Sequence, residues 1–132
     1  ITIESGGNHY WVSGAVKISY LGAVGLMQVM ASDSWQHVEE ATLLSWGWSP
    51  QDVDRLLADY KALFIHRPIT AELSDPAVNI EWGARLLRFG FDRTGSWETA
   101  VRSYFGIGND PSGYSDDQYW QRFVEVTGGQ FV

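Results

Sequence analysis

Two stretches decide how this chain is read: Ile1-Thr2-Ile3-Glu4-Ser5-Gly6-Gly7-Asn8 and Ser19-Tyr20-Leu21-Gly22-Ala23-Val24-Gly25-Leu26-Met27-Gln28-Val29-Met30. The first sets a carboxylate directly before a Gly-Gly-Asn stop, the pattern of a helix C-terminus. Glu4 then stands at the negative end of a helix dipole, with Ile1, Ile3, Leu26 and Met27 available to desolvate it. Both effects disfavour the anion, so the expectation is a carboxyl whose pKa is pushed upward. A Glu kept protonated near neutrality is a proton donor. On these local residues an exposed Glu beside a loop is the plainer alternative.

Working outward, Gly6, Gly7, Gly14, Gly22 and Gly25 interrupt any long helix in the first quarter of the chain, with Val12, Val16 and Ile18 between them. That stretch reads as loop with room for a short hairpin. Helical spacing then takes over. Trp35, Val38, Ala41 and Leu43 or Leu44 predict a helix from Asp33 to about Trp46, and Asp33 reads as its N-cap. Ser49-Pro50 with Asp52 opens a second helix, with Val53, Leu56, Leu57, Tyr60 and Leu63 on its apolar face, closed by Pro68. Asp75-Pro76 opens a third, through Ile80, Gly83, Ala84, Leu87 and Phe91 to Gly95. Ser96 caps a fourth, with Trp97, Ala100, Val101 and Tyr104 on one face, and a loop runs from Gly106 to Tyr114. Ser115 with Gln118 makes a capping box for a last helix through Tyr119, Phe123 and Val126 to Gly128-Gly129.

The 132 residues fit one domain, 1–132, able to bury about two-thirds of its extended surface. Cysteine is absent, which removes disulfides and thiolate metal sites but does not exclude an extracellular home. A hydrophobic content of 45% with 19% charged residues excludes disorder, and no uncharged run reaches the length of a membrane span. The net charge of −7 argues against nucleic acid as a partner. Seven Trp among 14% aromatic residues suit either a bulky core or sugar-stacking platforms.

The order Glu4-Ser5-Gly6-Gly7-Asn8, then Ser19-x-x-Gly22-Ala23-x-Gly25-Leu26-Met27-Gln28, resembles the paired signature of lytic transglycosylases and goose-type lysozymes. Asn79-Ile80-x-x-Gly83-x-x-x-Leu87 and Ala100-x-x-x-Tyr104 are similar to that family's third and fourth motifs, and Tyr119 to its late tyrosine. The resemblance covers Glu4 to about Val124. It implies a lysozyme-like α+β fold, predominantly α-helical, with a cleft for the alternating N-acetylmuramic acid and N-acetylglucosamine strand of peptidoglycan. It makes Glu4 the catalytic carboxylate, acting as general acid and then as base toward the muramic acid 6-hydroxyl to leave a 1,6-anhydro end. The substrate's N-acetyl group replaces the second carboxylate used by other glycosidases.

By the same resemblance Ser19 hydrogen-bonds near the acid or the N-acetyl group, Met27 and Gln28 line the cleft floor, and the Tyr104 hydroxyl approaches Glu4. Met27 reads equally as core, Gln28 as a loop amide and Tyr104 as helix packing, while Asn79 and Gly83 read as a helix–helix contact. The chain also departs from the family. The segment His9 to Ile18 is longer than usual, and its Trp11 is the best stacking residue. Tyr104 is followed by Phe105-Gly106-Ile107-Gly108 in place of Asn and an early Gly, so the contact that Asn makes does not carry over. Met30 occupies the position where goose-type lysozymes tend to place an Asp that positions water; Asp33 is the nearest substitute.

His9, His37 and His66 lack ligand spacing and read as solvent-facing or hydrogen-bonded; Asn109, Asp110, Asp116 and Asp117 lack the spacing of a calcium loop, and capping accounts for the last two. Glu39 and Glu40 read as a solvated face. No metal and no cofactor is expected. The expected activity is peptidoglycan lytic transglycosylation, outside the cytoplasm in periplasm, envelope or secreted form, or on a virion. The alternatives are a hydrolytic muramidase, or a non-catalytic glycan-binding or assembly module. The expected partner is the glycan strand, with no nucleic acid and no membrane insertion. Only three residues precede Glu4, where the family's first helix starts earlier, so the chain reads as a piece excised or processed from a longer protein, compatible with tethering in that parent.

Overall fold

A computed structural model describes residues 1–19, 21–105 and 115–132. The loop expected over 106–114, with Asn109 and Asp110, lies outside them. In chain order the elements are α1 (Thr2–Ser5), β1 (Ala23–Val24), β2 (Val29–Met30), a 3-10 turn (Ser34–His37), α2 (Glu40–Ser45), α3 (Pro50–Phe64), α4 (Thr70–Leu73), α5 (Pro76–Thr94), α6 (Trp97–Phe105) and α7 (Asp116–Thr127). The architecture is mostly helical with one small antiparallel sheet, as expected. The chain divides into two compact units, Ile1 with Ile3–Ile80 and Thr2 with Glu81–Val132.

In the first unit, Ala23 pairs with Met30 and Val24 with Val29, so the turn Gly25-Leu26-Met27-Gln28 links β1 to β2. Antiparallel bridges Tyr10 to Val16 and Ile18 to Val24 extend this sheet into the expected hairpin. Val24, Val29, Ala31, Leu43, Val53 and Leu73 form the core beneath it.

The turn is buried and its backbone groups need partners. Asn79, with no exposed surface, supplies them from the start of α5. Its Oδ1 accepts from Met27 N–H at 2.8 Å, while Nδ2 donates to Val24 C=O at 2.7 Å and Leu73 C=O at 3.0 Å. Gly25 makes the approach possible: its φ is +70°, and a Cβ there would lie 2.4 Å from the His9 ring and 2.8 Å from Asn79 Nδ2. The expected role of Asn79 as a plain helix contact is thereby corrected. Its amide matches three backbone groups that no apolar side chain could satisfy. The buried face of α5 is rotated accordingly, with Asn79 and Gly83 inside while Ile80 and Ala84 are exposed.

The single helix expected from Asp33 to Trp46 is broken. Val38 and Glu39 are extended between the 3-10 turn and α2. Asp33 does not cap its own turn; its Oδ1 accepts from the Thr70 backbone N–H and hydroxyl, both at 2.7 Å. It thus serves the start of α4, a four-residue helix too short to show a period in the sequence. Burial pushes the Asp33 carboxyl up, but the two Thr70 hydrogen bonds and nearby His37 outweigh it and hold it below the ordinary value. Helix α3 begins as expected, with the Ser49 side chain accepting from Asp52 N–H and Pro50 in the first turn. Its inward face is Val53, Leu57, Tyr60 and Phe64; Leu63, expected there, is 68% exposed because the 3.6-residue repeat carries it past the contact.

In the second unit, close approach of α5 and α6 occurs at Gly90, where a Cβ would lie 3.0 Å from that of Ala100. Phe91 stacks on Trp97 at 4.3 Å, and Trp97 meets Phe131 edge-on at 5.8 Å. The Ser115 and Gln118 capping box opens α7, and Gly128 ends it at φ +67°. Arg102 on α6 pairs with Glu98 on its own helix and with Asp116 and Asp117 in the first turn of α7. These two aspartates therefore join helices as well as favouring a helix start.

Asn79→Ala removes three buried hydrogen bonds to backbone groups, and is expected to cost about 3 kcal/mol, read by urea denaturation. A loss near zero would show that the turn does not depend on this amide. Because the Asp33 carboxyl is held below its ordinary 3.8, its contribution is complete above that value and is lost as pH falls through the folded-state value. The melting-temperature gap between wild type and Asp33→Asn is accordingly expected to close in acid.

Candidate active site

Glu4 lies half-buried in α1, and Gly6 and Gly7, at φ +65° and +82°, end the helix where the sequence placed its stop. The following carbonyl, Ser5 C=O, accepts from Asn8 N–H at 3.3 Å and from Lys17 Nζ at 2.8 Å. A cation on a C-terminal carbonyl offsets the negative end of a helix. Ser5 is itself buried, its hydroxyl donating to Ile1 C=O at 3.0 Å.

Lys17 also ties Ser5 to the hairpin and to the Gly25–Gln28 turn. Its N–H donates to His9 C=O at 2.8 Å, and its C=O accepts from Gly25 N–H at 2.7 Å. The Gln28 side chain donates to Gly25 C=O at 2.9 Å and reaches Lys17 C=O at 3.5 Å. Gln28 is the one non-glycine residue with positive φ among the described residues, at 49°. Such a conformation persists where surrounding contacts fix it, and here the side-chain amide does so. With Nε2 committed to the turn, Oε1 is the atom of Gln28 suited to accept from a sugar hydroxyl.

Met27 is 8% exposed and packs in the core, its N–H held by Asn79. Ser19 is half-buried, and its hydroxyl oxygen accepts from Ala23 N–H at 3.0 Å across the turn leading into β1. Trp11 is 52% exposed at the hairpin tip, whose closure is fixed by Trp11 N–H to Ala15 C=O at 2.8 Å. The ammonium of Lys17 stands 5.1 Å from the centre of the Trp11 ring. In the second unit, Tyr104 is half-buried on α6, and Tyr119 is buried on α7 with its ring stacked on Phe105 at 5.0 Å.

Sequence reasoning missed Lys17, and of its two readings of His9, solvent-facing or hydrogen-bonded, the structure shows the second. Lys17 carries a signal in plain sight, being the only lysine or arginine among the first 54 residues. His9 is 5% exposed, with Nδ1 accepting from Leu26 N–H at 3.1 Å and Nε2 donating to Ser74 C=O at 2.7 Å. Those partners select the neutral tautomer with the proton on Nε2. Of the other histidines, His37 is exposed with Nε2 3.2 Å from Thr70 Oγ1, and His66 is exposed. A cavity of about 440 Å³ in the first unit lies elsewhere, between Trp48 and the α3 residues Asp52, Arg55, Leu56 and Asp59. Among the described residues no group of three or more His, Cys, Asp or Glu could hold a metal ion, and no helix is long and apolar enough to cross a membrane.

The first unit therefore links the end of the helix that carries the half-buried Glu4 carboxyl, the exposed Trp11 indole and the Gln28 side chain to one lysine. A carboxyl group, an aromatic face and an amide are the side-chain types that acid-catalysed cleavage of a glycosidic bond uses. No curated protein and no solved structure matches the chain. A family model does, that of the transglycosylase SLT domain, over residues 1–123. With the match spanning nearly the whole sequence and the small sheet and helices in the expected order, the chain belongs to the SLT transglycosylase domain family, whose fold is lysozyme-like and whose substrate is peptidoglycan.

Proposed function

We propose that this domain cleaves the β-1,4 bond between N-acetylmuramic acid and N-acetylglucosamine in peptidoglycan, with Glu4 as general acid and then general base. Protonated Glu4 gives its proton to the glycosidic oxygen, and the N-acetylglucosamine side leaves as an alcohol. The positive charge at C1 of muramic acid is met by its own N-acetyl group. The 6-hydroxyl then bonds to C1 and returns its proton to the Glu4 carboxylate, so the acid is regenerated and no water is consumed. Internal attack gains the advantage of a reactant already in place.

The observation that carries this reading is the shared frame. Lys17 binds the Ser5 carbonyl next to Glu4, the Trp11 ring and the Gly25–Gln28 turn, so the carboxyl-bearing helix end and both proposed sugar contacts are tied to one residue. Transglycosylation is favoured over hydrolysis because Asp33, the substitute for a water-positioning Asp, already accepts two hydrogen bonds from Thr70. Peptidoglycan as substrate places the work outside the cytoplasm, on the glycan strand. The domain's net charge of −7 gives no help in reaching an anionic wall, and attachment to a larger parent would supply local concentration instead. The 132 residues act in this reading as one catalytic domain.

Purified peptidoglycan digested with the protein is expected to release muropeptides with 1,6-anhydro ends, lighter by one water than the reducing ends of hydrolysis, as read by mass spectrometry. Glu4→Gln is expected to lower the rate by roughly 10²- to 10⁴-fold with the fold intact. Reducing ends from the wild type would assign a muramidase. Absence of product from a folded wild type would assign a binding module.

A further inference from the structure

We infer that Lys17 is a positioning residue that fastens a sugar-stacking indole, Trp11, to the end of the acid-bearing helix, making the hairpin part of the glycan-binding surface. This rests on the proposed peptidoglycan substrate and adds a residue and a subsite to it. Three observations converge on the side chain. Its ammonium donates to Ser5 C=O at 2.8 Å, one residue from Glu4. The same ammonium lies 5.1 Å from the Trp11 ring centre, within cation–π range. Trp11 is nevertheless 52% exposed, so a face of the indole is open for a pyranose ring while the lysine limits its rotation.

The backbone of Lys17 makes the link rigid. Its N–H and C=O are bonded to His9 and Gly25, and His9 is anchored in turn to Leu26 and Ser74. The charge therefore extends from an anchored backbone position and bridges the end of α1 and the Trp11 hairpin. A sugar stacked on Trp11 is held in register with Glu4 through this bridge. The ligand class is a neutral N-acetylated pyranose within a longer glycan, since the ammonium is already committed to a carbonyl and a ring.

The test measures binding of purified peptidoglycan by sedimentation in a Glu4→Gln background, where turnover does not consume the ligand. Adding Lys17→Met is expected to weaken binding about tenfold, from loss of the cation–π contact and of the charged hydrogen bond. Lys17→Arg keeps a cation able to donate to the same carbonyl and to face the same ring, and is expected to bind within about threefold. Trp11→Ala is expected to match Lys17→Met, and the two together to be no weaker than either by more than about twofold, because they share one function. Unchanged binding by Lys17→Met or Trp11→Ala, or losses that multiply, overturns the proposal. If Lys17→Met melts early, Trp11→Ala and Lys17→Arg decide: weakened binding by the first with retention by the second supports the proposal, and any other result overturns it. A wild type that binds but releases no product overturns the catalytic reading and leaves the Lys17 comparison intact. Absence of binding by Glu4→Gln itself overturns both.

Discussion

The first unit depends on a buried turn whose own backbone cannot satisfy itself. Gly25 to Gln28 closes a sheet of two residues per strand, too short to be stable by strand pairing alone. Its stability comes from side chains that reach main-chain atoms from far away in sequence, Asn79 to Met27 and Val24, and His9 to Leu26. Among the described residues no buried side-chain polar atom is left without a partner. A polar network so placed is all or nothing, since each group left unpaired in the interior costs more than its bond contributed. That is why Gly25, with no side chain to intrude, sits where the His9 ring and the Asn79 amide come together.

Much of this was legible and part was not, for reasons that can be named. Helices α3, α5, α6 and α7 are announced by local chemistry: Ser49-Pro50, Asp75-Pro76, Ser96, and Ser115 with Gln118 each fix a helix start by contacts within a few residues. The stop after Glu4 was readable in the same way. The break at Val38 and Glu39 was not, because Asp33 looks like a local cap and spends its carboxylate 37 residues away on Thr70. Apolar residues marked the faces of α3 and α5 nearly, yet the inward positions of α5 include polar Asn79, which a hydrophobic period cannot register. Lys17 was overlooked because a lysine in a glycine-rich hairpin reads as a solvated charge, and its partners Ser5 and Trp11 lie across a fold that spacing does not reveal.

The family match and the geometry supply different things. The match gives the class of chemistry and leaves open which local features of this chain serve it. The geometry shows an extended hairpin bound to the same carbonyl that ends the acid-bearing helix, and a strained Gln28 whose amide is spent on holding the turn. Residues that look like ligand contacts in a motif are in this protein divided between structure and surface. Met27 belongs to the core and Trp11 to the solvent-facing side.

The ties that Asn79 and His9 make across the first unit end on main-chain atoms. Asn79 and His9 recognise the C=O groups of Val24, Leu73 and Ser74 and the N–H groups of Leu26 and Met27, so no neighbouring side chain is read by the frame itself. A scaffold clasped by its peptide groups tolerates replacement of the outward residues beside each clasp. Leu26 and Ser74 can drift in identity, and with them the texture of the surface, while the chain path beneath stays the same.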